Sequence, residues 1–129
     1  MVLTYSQIDQ LHGTLHRFES LTGEAGFAVW KTIGKIDAEE MAYRKLQFNI
    51  FQKYGKDEGD GYRITPDSEN FEKAKAELEE LLRREVDVEI RQIPRDKYDP
   101  DALYCDSARA VDYRIFETYM VEPEAGDPK

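Results

Sequence analysis

Two histidines four positions apart, His12 and His16 in the string HGTLH, are the residues whose type and spacing most invite chemistry. On a helix they share a face, and both imidazoles reach toward one metal ion. The string lacks the glutamate that follows the first histidine of the zinc-protease motif, and no third ligand lies nearby in sequence. Solvated or hydrogen-bonded histidines, with no metal, are therefore the expectation. The loop DEGDGYRITPDS concentrates acidic residues and glycines as a calcium loop does, but the offsets fail. With Asp57 in the first ligand position, Tyr62 falls where the glycine must be and Ser68 where the closing glutamate must be. The loop also lacks the lysine and the residue order of a phosphate loop. Cys105 is the lone cysteine, with no internal disulfide partner and no general base placed beside it by sequence. No nucleophile–base pair assembles from local spacing, so neither an enzyme nor a cofactor is expected.

A second group of polar residues stands out by position. Asp37, Glu40, Arg44 and Gln47 fall near the middle of an apolar stripe made by Val29, Trp30, Ile33, Ile36, Met41, Phe48, Phe51 and Tyr54. Glu40 and Arg44 have the favourable i, i+4 order for an ion pair. Buried polar groups without partners cost stability, so these four must be paired with one another, left wet at an open seam, or used as a polar interface or pocket. On the flanking face Lys31 and Lys35 are four apart. With Arg17 beside them if the first two helices fold into a hairpin, and His12 and His16 further along, they form a candidate anion site, and Lys31, Lys35 and Arg44 are candidate phosphate contacts for a nucleotide; a solvated lysine face is the commoner outcome.

The elements that must position these residues follow from periodicity. Gly26 to Gly55 reads as one long amphipathic helix, on the order of 40 Å, with Gly55 placed as a left-handed C-cap. Before it, Thr4 or Ser6 caps a first helix, with Gln7 completing a capping box after Thr4. Ile8, Leu11, Leu15 and Phe18 form its apolar face, continuing to Leu21, and the short Thr22–Gly23 connection predicts an antiparallel hairpin. Asp67 or Ser68 is placed to cap a third helix with Phe71, Ala74, Leu78, Leu81 and Leu82 inward. Tyr62–Thr65 has strand composition, and Val86, Val88 and Ile90 alternate with polar residues, so the two are expected to pair as a small ribbon. Ser107 is placed to cap a last helix, although DYRIFETYMV also suits a strand. The expectation is a mainly α fold with a small β ribbon (α+β): one helical domain over residues 1–122 and a flexible tail at 123–129.

Charge is unevenly spread. The net −9 divides into +1 for residues 1–56 and −10 for residues 57–129. A mainly negative half argues against direct nucleic-acid binding and favours a basic protein surface, for which Glu77, Glu79 and Glu80 are candidate partner-binding residues. Plain solubility is the simpler use of such charge. No apolar run approaches the roughly 20 residues of a membrane span. The opening MVLTYSQIDQ lacks the basic start and apolar middle of a signal peptide, so a cytoplasmic protein is expected.

Several strings together carry a resemblance. A short first helix, a long helix ending in KYG, an acidic glycine turn followed by YRI, a helix of the type FEKAKAELEELL, then EVDVEI and an Ile93–Pro94 dipeptide resemble a family of small uncharacterised phage and prophage proteins of Gram-positive bacteria. The likeness spans Ser6 to Pro94. It implies phage origin, action in the cytoplasm of an infected host, and no known cofactor or catalytic residue. The resulting expectation is a non-enzymatic binding protein that blocks a host defence protein. The alternatives are an oligomeric sponge that encloses a nucleotide signal and an assembly chaperone or minor virion component.

Overall fold

A computed structural model describes residues 1–123. In chain order these residues form β1 (Val2–Thr4), α1 (Tyr5–Arg17), α2 (Gly23–Tyr54), β2 (Lys56–Asp57), β3 (Tyr62–Arg63), α3 (Phe71–Arg83), β4 (Glu85–Asp87), two 3-10 turns (Arg95–Lys97 and Pro100–Leu103) and α4 (Ala110–Met120). The fold is mainly helical with two small antiparallel two-stranded sheets. The flexible-tail expectation falls, beyond Pro123, outside the described residues.

α1 begins where its capping box dictates. Thr4 Oγ1 accepts from the Gln7 amide at 3.2 Å, and Gln7 Oε1 accepts from the Thr4 amide at 2.9 Å, which satisfies two donors the first turn leaves free. Ile8, Leu11 and Leu15 are fully buried. The helix stops at Arg17, with Phe18 as its C-cap, so Leu21 lies in the connection and not on the helical face as expected. The turn is tight: a Cβ on Gly26 would lie 2.2 Å from the Leu21 carbonyl oxygen.

α2 is the spine, 32 residues long and about 48 Å from end to end. Its first two-thirds run antiparallel to α1. Tyr5 packs on Tyr43 with ring centroids 5.5 Å apart, Asp9 meets Arg44, and His16 meets Asp37. Its last third leaves α1 behind and packs Leu46 and Ile50 toward Leu81 of α3. Gly55 ends the helix in extended backbone (φ −88°, ψ 165°), not in the left-handed cap expected. The glycine is needed for a different reason, because a Cβ there would lie 2.4 Å from the Phe51 carbonyl oxygen.

The strands also pair differently from the expected ribbon. β1 takes β4, with Leu3 opposite Val86, and β3 takes the adjacent β2. The acidic glycine turn is short enough to close a local hairpin on itself, and this leaves β4 free for the N-terminal strand, whose Leu3 is buried. Beyond β4 the chain crosses α2, where the Arg91 amide donates to buried Thr32 Oγ1 at 2.9 Å, and reaches a parallel bridge between Ile93 and Val121. The third helix is preceded by Asn70 without a side-chain cap, not by a capping Asp67 or Ser68. Residues 110–120 are helical, resolving the ambiguity of DYRIFETYMV. The N-cap is Arg109 in place of Ser107, and its amide donates to Asp112 Oδ2 at 2.9 Å. Phe116 and Tyr113 of α4 close edge-on over Phe18.

Candidate functional site

The α1–α2 seam gathers most of the polar residues singled out by spacing. His12 and His16 lie one turn apart on α1, with ring centroids 4.7 Å apart. Both direct Nε2 at Oδ1 of Asp37 on α2, at 3.3 Å and 2.7 Å respectively. His16 Nδ1 lies 3.5 Å from Glu19 Oε2. The hydrogen bond to Asp37 raises the His16 pKa above its ordinary value, whereas burial, followed by the neighbouring His16, lowers that of His12. Asp37 therefore supplies the third polar group that the local sequence lacks, 21 positions from His16.

Two turns further along α2, Arg44 holds three groups. Its Nε donates to Glu40 Oε1 at 2.9 Å, its Nη2 to Asp9 Oδ1 at 2.9 Å, and its Nη1 to Gln47 Oε1 at 3.0 Å. The expected Glu40–Arg44 pair is present, and Asp9 joins it. The Glu40 side chain is 7% exposed, and its Oε2 has no hydrogen-bond partner among the described residues. Burial, with the Asp9 carboxylate next in size, pushes the Glu40 pKa up to about 7 against the pull of Arg44. His12, His16, Asp37, Glu40, Met41 and Arg44 line one open cavity of about 420 Å³.

The anion cluster does not assemble as one site. Arg17 turns away to Asp112 of α4, with Nη1 2.9 Å from Oδ1, and Arg44 is occupied in the seam. Lys35 pairs with Glu89. Lys31 stands over the Trp30 and Phe27 rings at 5.7 and 5.9 Å from their centroids. Lys31 and Lys35 still share a cavity of about 360 Å³, but Glu89 sits in it with them. The acidic trio is divided by helical geometry as well. Glu77 and Glu80 face the α2–α3 cleft, where Glu77 lies 3.5 Å from Lys53, whereas Glu79 lines the opposite groove beside Leu78 and Leu82. Positions two apart on a helix point to different faces. Cys105 Sγ donates to the Arg17 carbonyl at 2.9 Å, and its contact with Ser107 lowers its pKa.

A feature that the stripe reading missed lies on the outward side of α2. Trp30 is 70% exposed, Met41 73%, Phe48 51% and Phe27 43%. The spacing places Trp30, Met41 and Phe48 in the inward stripe with Val29 and Ile36, but of these five only Val29 and Ile36 are buried. Phe27, Met41 and Phe48 share a seven-residue spacing, whereas the row that begins at Trp30 continues with Asp37 and Arg44, which face α1. In the sequence the exposed side chains merge with the inward stripe because the long helix carries apolar residues on two sides.

No helix among the described residues is long and apolar enough to cross a membrane. No protein family, curated protein or solved structure matches the chain.

Proposed function

We propose that this chain is a non-enzymatic binding protein and that the outward face of α2 is the surface on which a protein partner docks. The observation that carries the reading is the exposure of Phe27, Trp30, Met41 and Phe48 along one helix. Large aromatic and methionine side chains are enriched in protein interfaces, and four of them stand exposed on this one helix. The partner we propose is a host defence protein, a target that suits the phage origin implied by the resemblance. This moves the expected contact from Glu77, Glu79 and Glu80 to α2, with the acidic second half left to steer approach. The nucleotide-sponge reading has less support, because Arg17, Lys35 and Arg44 each already face a carboxylate.

The test is capture from infected host cells with the intact protein and with a Trp30→Glu, Met41→Glu double variant, together with the mass of each in solution. Both positions are exposed, so each change should alter stability by no more than about 0.5 kcal/mol. Loss of a host protein from the captured set, with an unchanged unfolding curve, is the expected result. Retention of every captured protein by the variant overturns the α2 docking face. An assembly of wild-type copies dispersed by the same variant would place a second copy of the chain on the face, against the host-partner reading.

A further inference from the structure

We propose that His12, His16 and Asp37 form a binding site for a divalent late first-row transition metal ion, of which zinc is the natural probe. The three residues each offer one ligand atom, and these atoms lie within 4.8 Å of one another. Two come from one face of α1 and the third from α2, so the site is built by the helical hairpin and has no counterpart in local sequence. Bonds of about 2.0–2.1 Å in tetrahedral geometry put ligand atoms about 3.3 Å apart. The His12–Asp37 separation is already 3.3 Å, and the His16–Asp37 separation of 2.7 Å requires a small opening.

The surroundings also suit an ion. One carboxylate oxygen serves both imidazoles through the nitrogen that points into the open cavity. Glu19 lies on the opposite nitrogen of His16, where outer carboxylates orient metal-bound histidines. The cavity leaves a fourth position for water or an incoming group. Two imidazoles and one carboxylate select against calcium and magnesium, which prefer all-oxygen shells, and suit zinc, cobalt, nickel or copper. Ligation through both Nε2 atoms would require each imidazole to be neutral and to carry its proton on Nδ1, which in His16 faces Glu19. The ion would also fasten α1 to α2 beside Met41, at the edge of the outward face.

The experiment is calorimetric titration of the untagged full chain with Zn²⁺ near neutral pH, accompanied by the visible spectrum with Co²⁺ and by thermal unfolding with and without metal. One ion per chain is expected, with a raised Tm and a Co²⁺ spectrum that reports nitrogen ligation. A His12→Ala, His16→Ala double variant should bind more than about tenfold more weakly. An Asp37→Asn variant, which keeps the size of the side chain, should also bind more weakly. Circular dichroism of the metal-free variants shows whether they fold. A Cys105→Ser variant should bind as the wild type does. Absence of saturable binding, or binding unchanged by loss of both histidines, overturns the proposal.

Discussion

Two buried carboxylates, each held by an arginine, lie on opposite sides of α1 and are treated in opposite ways. Asp112, between α1 and α4, is 1% exposed and accepts from Thr14 Oγ1, Arg17 Nη1 and the Arg109 amide, all at 2.9 Å. Burial alone would raise its pKa, but those hydrogen bonds and the neighbouring arginines outweigh it and hold the carboxyl below its ordinary value. Glu40, between α1 and α2, is nearly as buried, yet one oxygen has no hydrogen-bond partner among the described residues and a second carboxylate, Asp9, stands beside it. Its pKa rises to about 7. The difference is one of donors. Where a buried carboxylate receives three, it acts as a fixed joint; where it shares one arginine with a like charge, it holds its proton more tightly than usual beside an open cavity. The first side of α1 is built to stay closed, and the second is where the molecule has room to bind.

The largest effect should come from breaking the closed side. Asp112→Ala removes the acceptor for Thr14, Arg17 and a helix N-terminal amide at once, and should cost about 2–4 kcal/mol, read as a lower urea midpoint. A cost below about 1 kcal/mol would mean that the α1–α4 joint does not depend on this carboxylate.

A smaller effect should separate the two carboxylates by pH. Because the folded pKa of Glu40 is raised, the folded chain keeps a proton that the unfolded chain releases above its ordinary value of 4.5. The associated stability is full below pH 4.5, falls as pH rises toward about 7, and is gone above that. A tenfold difference in proton affinity between the folded and unfolded chain is worth about 1.4 kcal/mol, so the loss should amount to roughly a few kcal/mol at most. Glu40→Gln should abolish this part of the pH dependence and stand more stable than the wild type in mildly alkaline buffer. Equal pH dependence of the urea midpoint in both proteins would contradict the proton-holding seam. Asp112 contributes in the opposite sense, since stability from a lowered pKa disappears only as pH falls through it.

Much of the architecture is legible in the sequence. The capping box at Thr4, the helical hairpin, the spine helix and the third helix follow from 3.6-residue periodicity and cap chemistry, which are local properties. The strand partners are not legible. Periodicity offers β4 only Tyr62–Thr65 as a partner, and its pairing with β1 instead depends on burying Leu3, a contact more than 80 positions away in sequence. Glu40–Arg44 is readable as an i, i+4 pair, but neither the burial of Glu40 nor the approach of Asp9, which together raise its pKa, exists until the hairpin closes. For the same reason Asp37 could not be joined to His12 and His16 from spacing alone. Lys31, Lys35, Arg17 and Arg44 group by charge, and acidic partners on other elements then divide them. The two apolar sides of α2 look alike as sequence, and only packing of α1 and α3 decides which is covered.

Trp30, the chain's one tryptophan, reports on that uncovered face directly. Acrylamide quenching of its fluorescence, measured in the free protein and in the complex isolated with a host partner, tests the docking face without altering a residue. The account predicts indole fully accessible to quencher in the free protein and shielded, with blue-shifted emission, in the complex. Quenching and emission identical in the two states would contradict it.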